Sequence, residues 1–216
     1  MSVDIHMYRH NGTRSGGQSA SAESRGLGVA RSAGILRARD FTGHGIPRVV
    51  LTRLVRKNLL KRTERGIYML PNSDITEHHT IAEACKKVPH GVVCLLSALR
   101  FHRMTTQNPS KVWMAIDVSA RKPLFQSPPL RIVRFSGKAL TYGVEKKRIE
   151  GVDIIVTSRA KTVADCFKYR NKIGMDVALE SLREYRRSRG SPDDLWRSAE
   201  VCRIASIIRP YWEAIS

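Results

Sequence analysis

The chain has 216 residues, 42% hydrophobic and 26% charged, with 15 glycines and 9 prolines. That balance excludes a fibrous or broadly disordered protein and suffices for one large domain or two small ones. Lysine and arginine number 38 against 19 for aspartate and glutamate, so the net charge is +19 and the isoelectric point about 10.5. Charge of this size excludes indifference to polyanions and points to nucleic acid or an anionic membrane surface.

No stretch of 18 apolar residues occurs, which argues against a transmembrane helix, and the first thirty residues show no secretory pattern, so a cytoplasmic protein is expected. Cys85, Cys94, Cys166 and Cys202 are far apart and form no C-x-x-C pair. They read as buried thiols in a reducing compartment. A site built from Cys85, Cys94 and His102 matches no zinc spacing, and no metal or cofactor is expected.

In chain order, residues 1–24 are rich in serine, glycine, asparagine and arginine and read as a disordered basic tail. Residues 25–75 hold short helices with sharp punctuation. A first helix is expected around Leu27 to Ala33, an extended step at Gly34 to Leu36, and a second helix from Ala38 to His44 ended by Gly43 and Gly45. Pro47 opens a third helix within Ile46 to Asn58. Its spacing puts Leu51, Leu54 and Val55 on one face and Arg48, Val49, Thr52, Arg53 and Arg56 on the other. Leu59 to Thr63 and Gly66 to Leu70 then read as a hairpin joined at Glu64-Arg65-Gly66 and closed by Pro71.

Three helices followed by a hairpin is the order of a winged helix-turn-helix. A recognition helix must be apolar inward and carry donors outward, and arginine suits the outward face because its planar fork grips guanine or phosphate through two bonds. From Arg37 to Arg65 there are nine basic residues and two acidic ones (Asp40 and Glu64), hence +7 over 29 residues. The candidate contacts to double-stranded DNA are Arg37, Arg39, Arg48, Val49, Thr52, Arg53, Arg56, Lys57, Arg62 and Arg65. A lipid-binding helix would need free large apolar residues, and the first tryptophan is Trp113.

Residues 76–216 change texture and read as a second domain. Thr80-Ile81-Ala82-Glu83 has capping-box spacing before a helix to about Lys87, and a helix through Ser97 to His102 follows Val92 to Leu96. Strands are expected at Val112 to Ile116, Leu130 to Phe135, Lys146 to Ile149 and Val152 to Val156, with Glu150-Gly151 as a turn. Three helices close the chain: Ala160 to Tyr169, Asp176 to Arg189, and a segment opened by Ser191-Pro192 and running to about Ile208. The fold class is α+β (mixed α/β): a winged helix-turn-helix followed by a small β-sheet, a meander flanked by helices.

No phosphate-binding glycine loop or nucleophile motif is present. Asp117 with Glu145-Lys146-Lys147 approximates a paired-carboxylate nuclease only poorly, and His78, His79, His90 and His102 read as surface or capping residues. Asp165 reads as a helix residue paired with Lys161 or Lys168. The 25 basic and 14 acidic residues of this part leave it at +11, either a second nucleic-acid or acidic-partner surface or a solubility shell.

The blocks G-I-L-R-A-R-D-F (Gly34 to Phe41), I-P-R-V-V-L-T-R-L-V (Ile46 to Val55), R-G-I-Y-M-L-P (Arg65 to Pro71), C-L-L-S-A-L-R-F-H (Cys94 to His102) and S-R-A-K-T-V-A-D-C-F-K-Y-R-N-K-I-G (Ser158 to Gly174) together resemble the AbiEi-type antitoxins, described as predicted transcriptional regulators of viral defence in abortive infection. The resemblance implies a non-enzymatic protein with two tasks. The winged helix would repress its own operon at inverted repeats in the promoter, through Arg48, Thr52, Arg53 and Arg56 on the recognition helix and Arg62 and Arg65 on the wing. The C-terminal domain would neutralise a cognate nucleotidyltransferase-like toxin. One departure is Asn58, where a glycine commonly ends the recognition helix; asparagine tolerates the left-handed conformation. The alternatives are a stand-alone regulator whose C-terminal domain senses a ligand or dimerises, and a nucleic-acid enzyme using Asp117 and Glu145.

Overall fold

The computed structural model describes residues 21–64, 66–72, 76–125 and 127–215. The first helix, α1 (Ala22–Ala33), opens at Ala22 rather than near Leu27, because the Ser21 hydroxyl accepts the Ser24 N–H at 3.1 Å and caps it. Three residues assigned to the tail by composition are thus helical, and residues 1–20 of that tail lie outside the described residues.

After α1 come β1 (Leu36–Arg37), α2 (Ala38–Gly43), α3 (Arg48–Arg56), β2 (Lys61–Glu64) and β3 (Ile67–Met69). The three strands form an antiparallel sheet in the order β1-β3-β2, with a bulge between Arg62 and Glu64. This is the winged-helix arrangement. Ala30, Leu36, Phe41, Ile46, Val50, Leu51, Leu54 and Leu60 form its core. Pro47 is the residue before α3 rather than its first turn, and Val50 is buried where the spacing had favoured Val55, which is half-buried.

The second part holds α4 (His79–Lys87), β4 (Val92–Val93), α5 (Leu95–Phe101), β5 (Val112–Asp117), β6 (Leu130–Phe135), α6 (Lys138–Thr141), β7 (Val144–Ile149) and β8 (Val152–Thr157). It ends in α7 (Arg159–Lys168), α8 (Arg170–Ile173), α9 (Met175–Arg187), α10 (Pro192–Cys202) and α11 (Ala205–Ala214). The strand order is β6-β5-β4-β8-β7, with β4–β8 and β5–β6 parallel and β4–β5 and β7–β8 antiparallel. A meander is therefore incorrect. The two-residue β4 is the central strand and joins the two strand pairs that sequence neighbours can form.

Two further expectations fail locally. The capping box at Thr80 does not form: α4 begins at His79, and Glu83 contacts the His79 ring and the Thr63 hydroxyl rather than a backbone N–H. The last segment is two helices, because Arg203 adopts the left-handed conformation (φ 58°) and ends α10.

Side chains alternate across the sheet. Val92, Ala115, Val133 and Phe135 face a layer containing α5, α7, α9, α10 and α11, while Val93, Met114, Ile116, Val152 and Ile154 face α4. Ile35 and Ile67 of the winged helix enter that second core.

The two parts also meet through backbone. Glu150 (φ 49°) and Gly151 (φ 73°) form the tight turn between β7 and β8, and this turn lies against Ala33-Gly34. The Ile35 N–H donates to the Glu150 carbonyl at 3.3 Å. A Cβ on Gly34 would fall 2.0 Å from the Glu150 carbonyl oxygen, and one on Gly151 2.2 Å from that of Ala33. The Glu150 carboxylate accepts the Thr76 N–H and hydroxyl at 2.8 and 2.7 Å and contacts His79 Nδ1 at 2.6 Å. Lys86 on α4 reaches Asp40 on α2 at 2.7 Å. Burial works to raise the carboxyl pKa of both acids, but the surrounding donors outweigh it and hold Asp40 and Glu150 below their ordinary values.

Candidate nucleic-acid interface

Helix α3 owes its orientation to one apolar face. Val50, Leu51 and Leu54 are buried, and Gly26 of α1 lets Leu54 approach closely: a Cβ there would lie 3.1 Å from Leu54 Cδ1. The opposite face is exposed along two adjacent helical rows, Arg48-Thr52-Arg56 and Val49-Arg53. Val49 is 56% exposed among arginines, an apolar group of the kind that packs on a thymine methyl. The helix ends as its sequence requires: Asn58 is left-handed (φ 55°), and the Leu59 and Leu60 N–H groups donate to the Leu54 carbonyl at 2.9 and 3.2 Å.

The remaining candidates divide. Arg39 on α2 and Arg62 on β2 are exposed. Lys57 is exposed but ion-paired to Glu23 at 2.7 Å, which reduces its availability to a phosphate. Arg37 is half-buried before α2, its backbone N–H donating to Asp40 at 2.8 Å, and burial followed by repulsion from Arg39 lowers its pKa. Its partner Asp40 is the residue that pairs with Lys86 across the two halves. Arg65 lies outside the described residues. Sequence reasoning passed over His44 and Lys61, exposed beside α3 and at the start of β2. Their signal was position alone, next to the recognition helix and on the wing.

The structure separates the residues of the nuclease alternative. Asp117 ends β5 and Glu145 lies on β7, with β4 and β8 between them. Asp117 is held by the Ser119 N–H and hydroxyl at 2.8 and 2.6 Å, which lower its pKa, and Glu145 pairs with Lys147 at 3.0 Å. His102 Nε2 donates to the Thr157 carbonyl at 2.7 Å, and burial lowers its pKa. Burial pushes the Cys85 thiol up to about 12 and the Cys94 thiol well above its ordinary value, so neither offers a thiolate. Among the described residues no group of three or more histidine, cysteine, aspartate or glutamate side chains could hold a metal ion, and no helix is long and apolar enough to cross a membrane.

Residues 29–71, from within α1 to just beyond β3, match the family described as a transcriptional regulator, AbiEi antitoxin. That match is confined to the winged helix. The AbiEi-type segment thus contains α2, α3 and both strands of the wing, and with them every candidate contact. No curated protein matches the chain. Among solved structures, the RV2827C protein from Mycobacterium tuberculosis is similar at a TM-score of 0.51 and 11% identity, over 89% of this chain and 80% of that one. That likeness is one of fold. It extends beyond the AbiEi-type segment into the sheet and its helical layer, since 89% of the chain exceeds the winged helix alone.

Proposed function

We propose that this AbiEi-type regulator binds inverted repeats in its own promoter, with α3 in the major groove and the β2–β3 wing on the adjacent backbone. The observation that carries the reading is the exposed double row of Arg48, Thr52 and Arg56 with Val49 and Arg53 on a winged helix of that family. Arginine forks on a helix of this width meet the donor and acceptor pattern of base edges, while Arg39 and Arg62 lie on the flanking elements where phosphates pass. The same reading gives residues 76–216 the second antitoxin task, neutralising a cognate nucleotidyltransferase-like toxin, and assigns the protein no enzymatic activity of its own.

A gel shift on the DNA upstream of its own gene, with scrambled DNA as competitor, tests the first half. Specific binding is expected, with a slope of log K against log salt of about −5 if roughly six phosphates are neutralised at −0.9 each. Equal affinity for both DNAs overturns it. Co-expression with the product of a neighbouring nucleotidyltransferase-like gene tests the second: growth is expected to be restored, and unrelieved toxicity leaves a stand-alone regulator.

A further inference from the structure

We propose that the C-terminal half binds a phosphate group carried by a small molecule, in the cavity between the start of α7 and the α9–α10 connection. The proposal does not depend on the DNA-binding reading. The cavity has a volume of about 460 Å³ and is lined by Tyr142, Ser158, Arg159, Tyr185, Arg189 and Asp194 among others. This is the size range of small-molecule sites and several times what a bare phosphate needs.

The charge balance of the cavity is positive once pairing is considered. Its two carboxylates are each occupied, Glu145 by Lys147 at 3.0 Å and Asp194 by Arg197 at 3.2 Å. Its two guanidinium groups have no carboxylate partner among the described residues. Arg159 is fixed in place, its guanidinium 5.8 Å from the Tyr185 ring centre and its Nη2 donating to the Ser188 hydroxyl. Its Nε–H is nevertheless buried with no acceptor. A buried donor without a partner destabilises the ligand-free protein. Arg189 stands exposed at the rim in the left-handed conformation, φ 54°.

The backbone adds donors from the same side. Helix α7 has ten residues, and the Ser158 hydroxyl caps only the Lys161 N–H, at 3.3 Å. The Arg159 and Ala160 N–H groups, at the first two helical positions, have no carbonyl one turn earlier. Gly143 (φ 61°) makes the approach possible: its carbonyl accepts the Ser158 N–H at 2.7 Å, and a Cβ there would lie 2.9 Å from that of Lys161. Backbone amides at a helix start beside an oriented guanidinium are the donor set that a phosphate dianion takes. The remaining volume, walled by the Tyr142 and Tyr185 side chains, would hold the organic body of the ligand.

The test is an NMR titration of the isotopically labelled full chain with inorganic phosphate, against chloride at matched ionic strength. Saturable shifts are expected at the Arg159 and Ala160 amides and at Arg159 Nε–H. Arg189→Asn, which keeps an αL-tolerant residue on the surface, should weaken binding several-fold, and Arg159→Gln by about tenfold or more, one lost charge-assisted bond. The rest of each spectrum reports whether the variant is folded, and Arg189→Asn carries the test if Arg159→Gln is not. Absence of saturable shifts at these groups, or equal shifts in wild type and Arg189→Asn, overturns the proposal. So does a short DNA duplex shifting these amides as strongly as inorganic phosphate, which would make the cavity part of a nucleic-acid surface.

Discussion

Lys161→Met is expected to destabilise the protein by about 3 to 5 kcal/mol at pH 7, the range for removing one partner of a buried ion pair. Lys161 and Asp165 lie one turn apart on α7 at 0% and 1% side-chain exposure, with Nζ 2.5 Å from Oδ1. The other contact to this carboxylate is weak, the Cys202 thiol donating to Oδ1 at 3.4 Å, and Oδ2 has no partner. Burial pushes the Asp165 carboxyl above its ordinary value even with Lys161 pulling against it. Without the ammonium the carboxylate takes up a proton on folding. From an unfolded pKa near 3.9, that uptake costs at most about 4 kcal/mol at pH 7, at 1.36 kcal/mol per unit.

The sign follows from the protons bound. A carboxyl whose folded pKa is raised makes the folded state bind more protons, so the variant gains stability relative to wild type as pH falls. Urea unfolding at pH 7 and pH 5 should show the deficit shrink by up to about 2.7 kcal/mol. The double variant Lys161→Met, Asp165→Leu should return to within about 1 to 2 kcal/mol of wild type. A single-variant cost under about 1 kcal/mol, a deficit independent of pH, or a double variant as unstable as the sum of the singles would refute this account of the core.

Four further outcomes are expected. Arg48→Ala and Arg53→Ala should each weaken operator binding by about 1 to 3 kcal/mol where they grip bases and relax specificity at the position read, in fluorescence anisotropy. Glu23→Gln should raise DNA affinity slightly at low salt and not at high salt, because it releases Lys57 from its 2.7 Å pair. Gly34→Ala should lower the melting temperature, since its Cβ would fall 2.0 Å from the Glu150 carbonyl at a positive φ; an unchanged melting curve would show the contact to be soft. Asp40 and Glu150 have lowered folded values, so their contribution is complete above the unfolded values near 4 and is lost as pH falls through the lower folded ones. Melting between pH 5 and 2.5 should show that loss, reduced in Glu150→Gln.

The winged helix was legible because its information is local: the period of α3, the glycines around α2 and the alternation of the wing each lie within a dozen residues. The i to i+4 pairing of Lys161 with Asp165 was legible for the same reason. The sheet order was not, because Val92-Val93 is too short to show a period and its partner Val156 is over sixty residues away. The break at Arg203 carries no glycine or proline to announce it. At the interface, Val49 and Arg53 follow from helix spacing, whereas the pairing of Lys57 with Glu23 depends on a neighbour distant in the chain. The cavity beside Arg159 is assembled from three separated segments, which only the fold brings together.

The Glu150-Gly151 turn, wedged between Ala33-Gly34 and the start of α4, changes what a boundary in this chain means. Composition divides the sequence after residue 75, yet the hydrophobic contacts do not divide there, because Ile35 and Ile67 are packed with Ile81, Val152 and Ile154. Severing the peptide between Asn72 and Thr76 would therefore leave two fragments with a common core and a common hydrogen-bonded seam. The winged helix is thus held to the sheet by the β7–β8 turn and a shared core as well as by the polypeptide link.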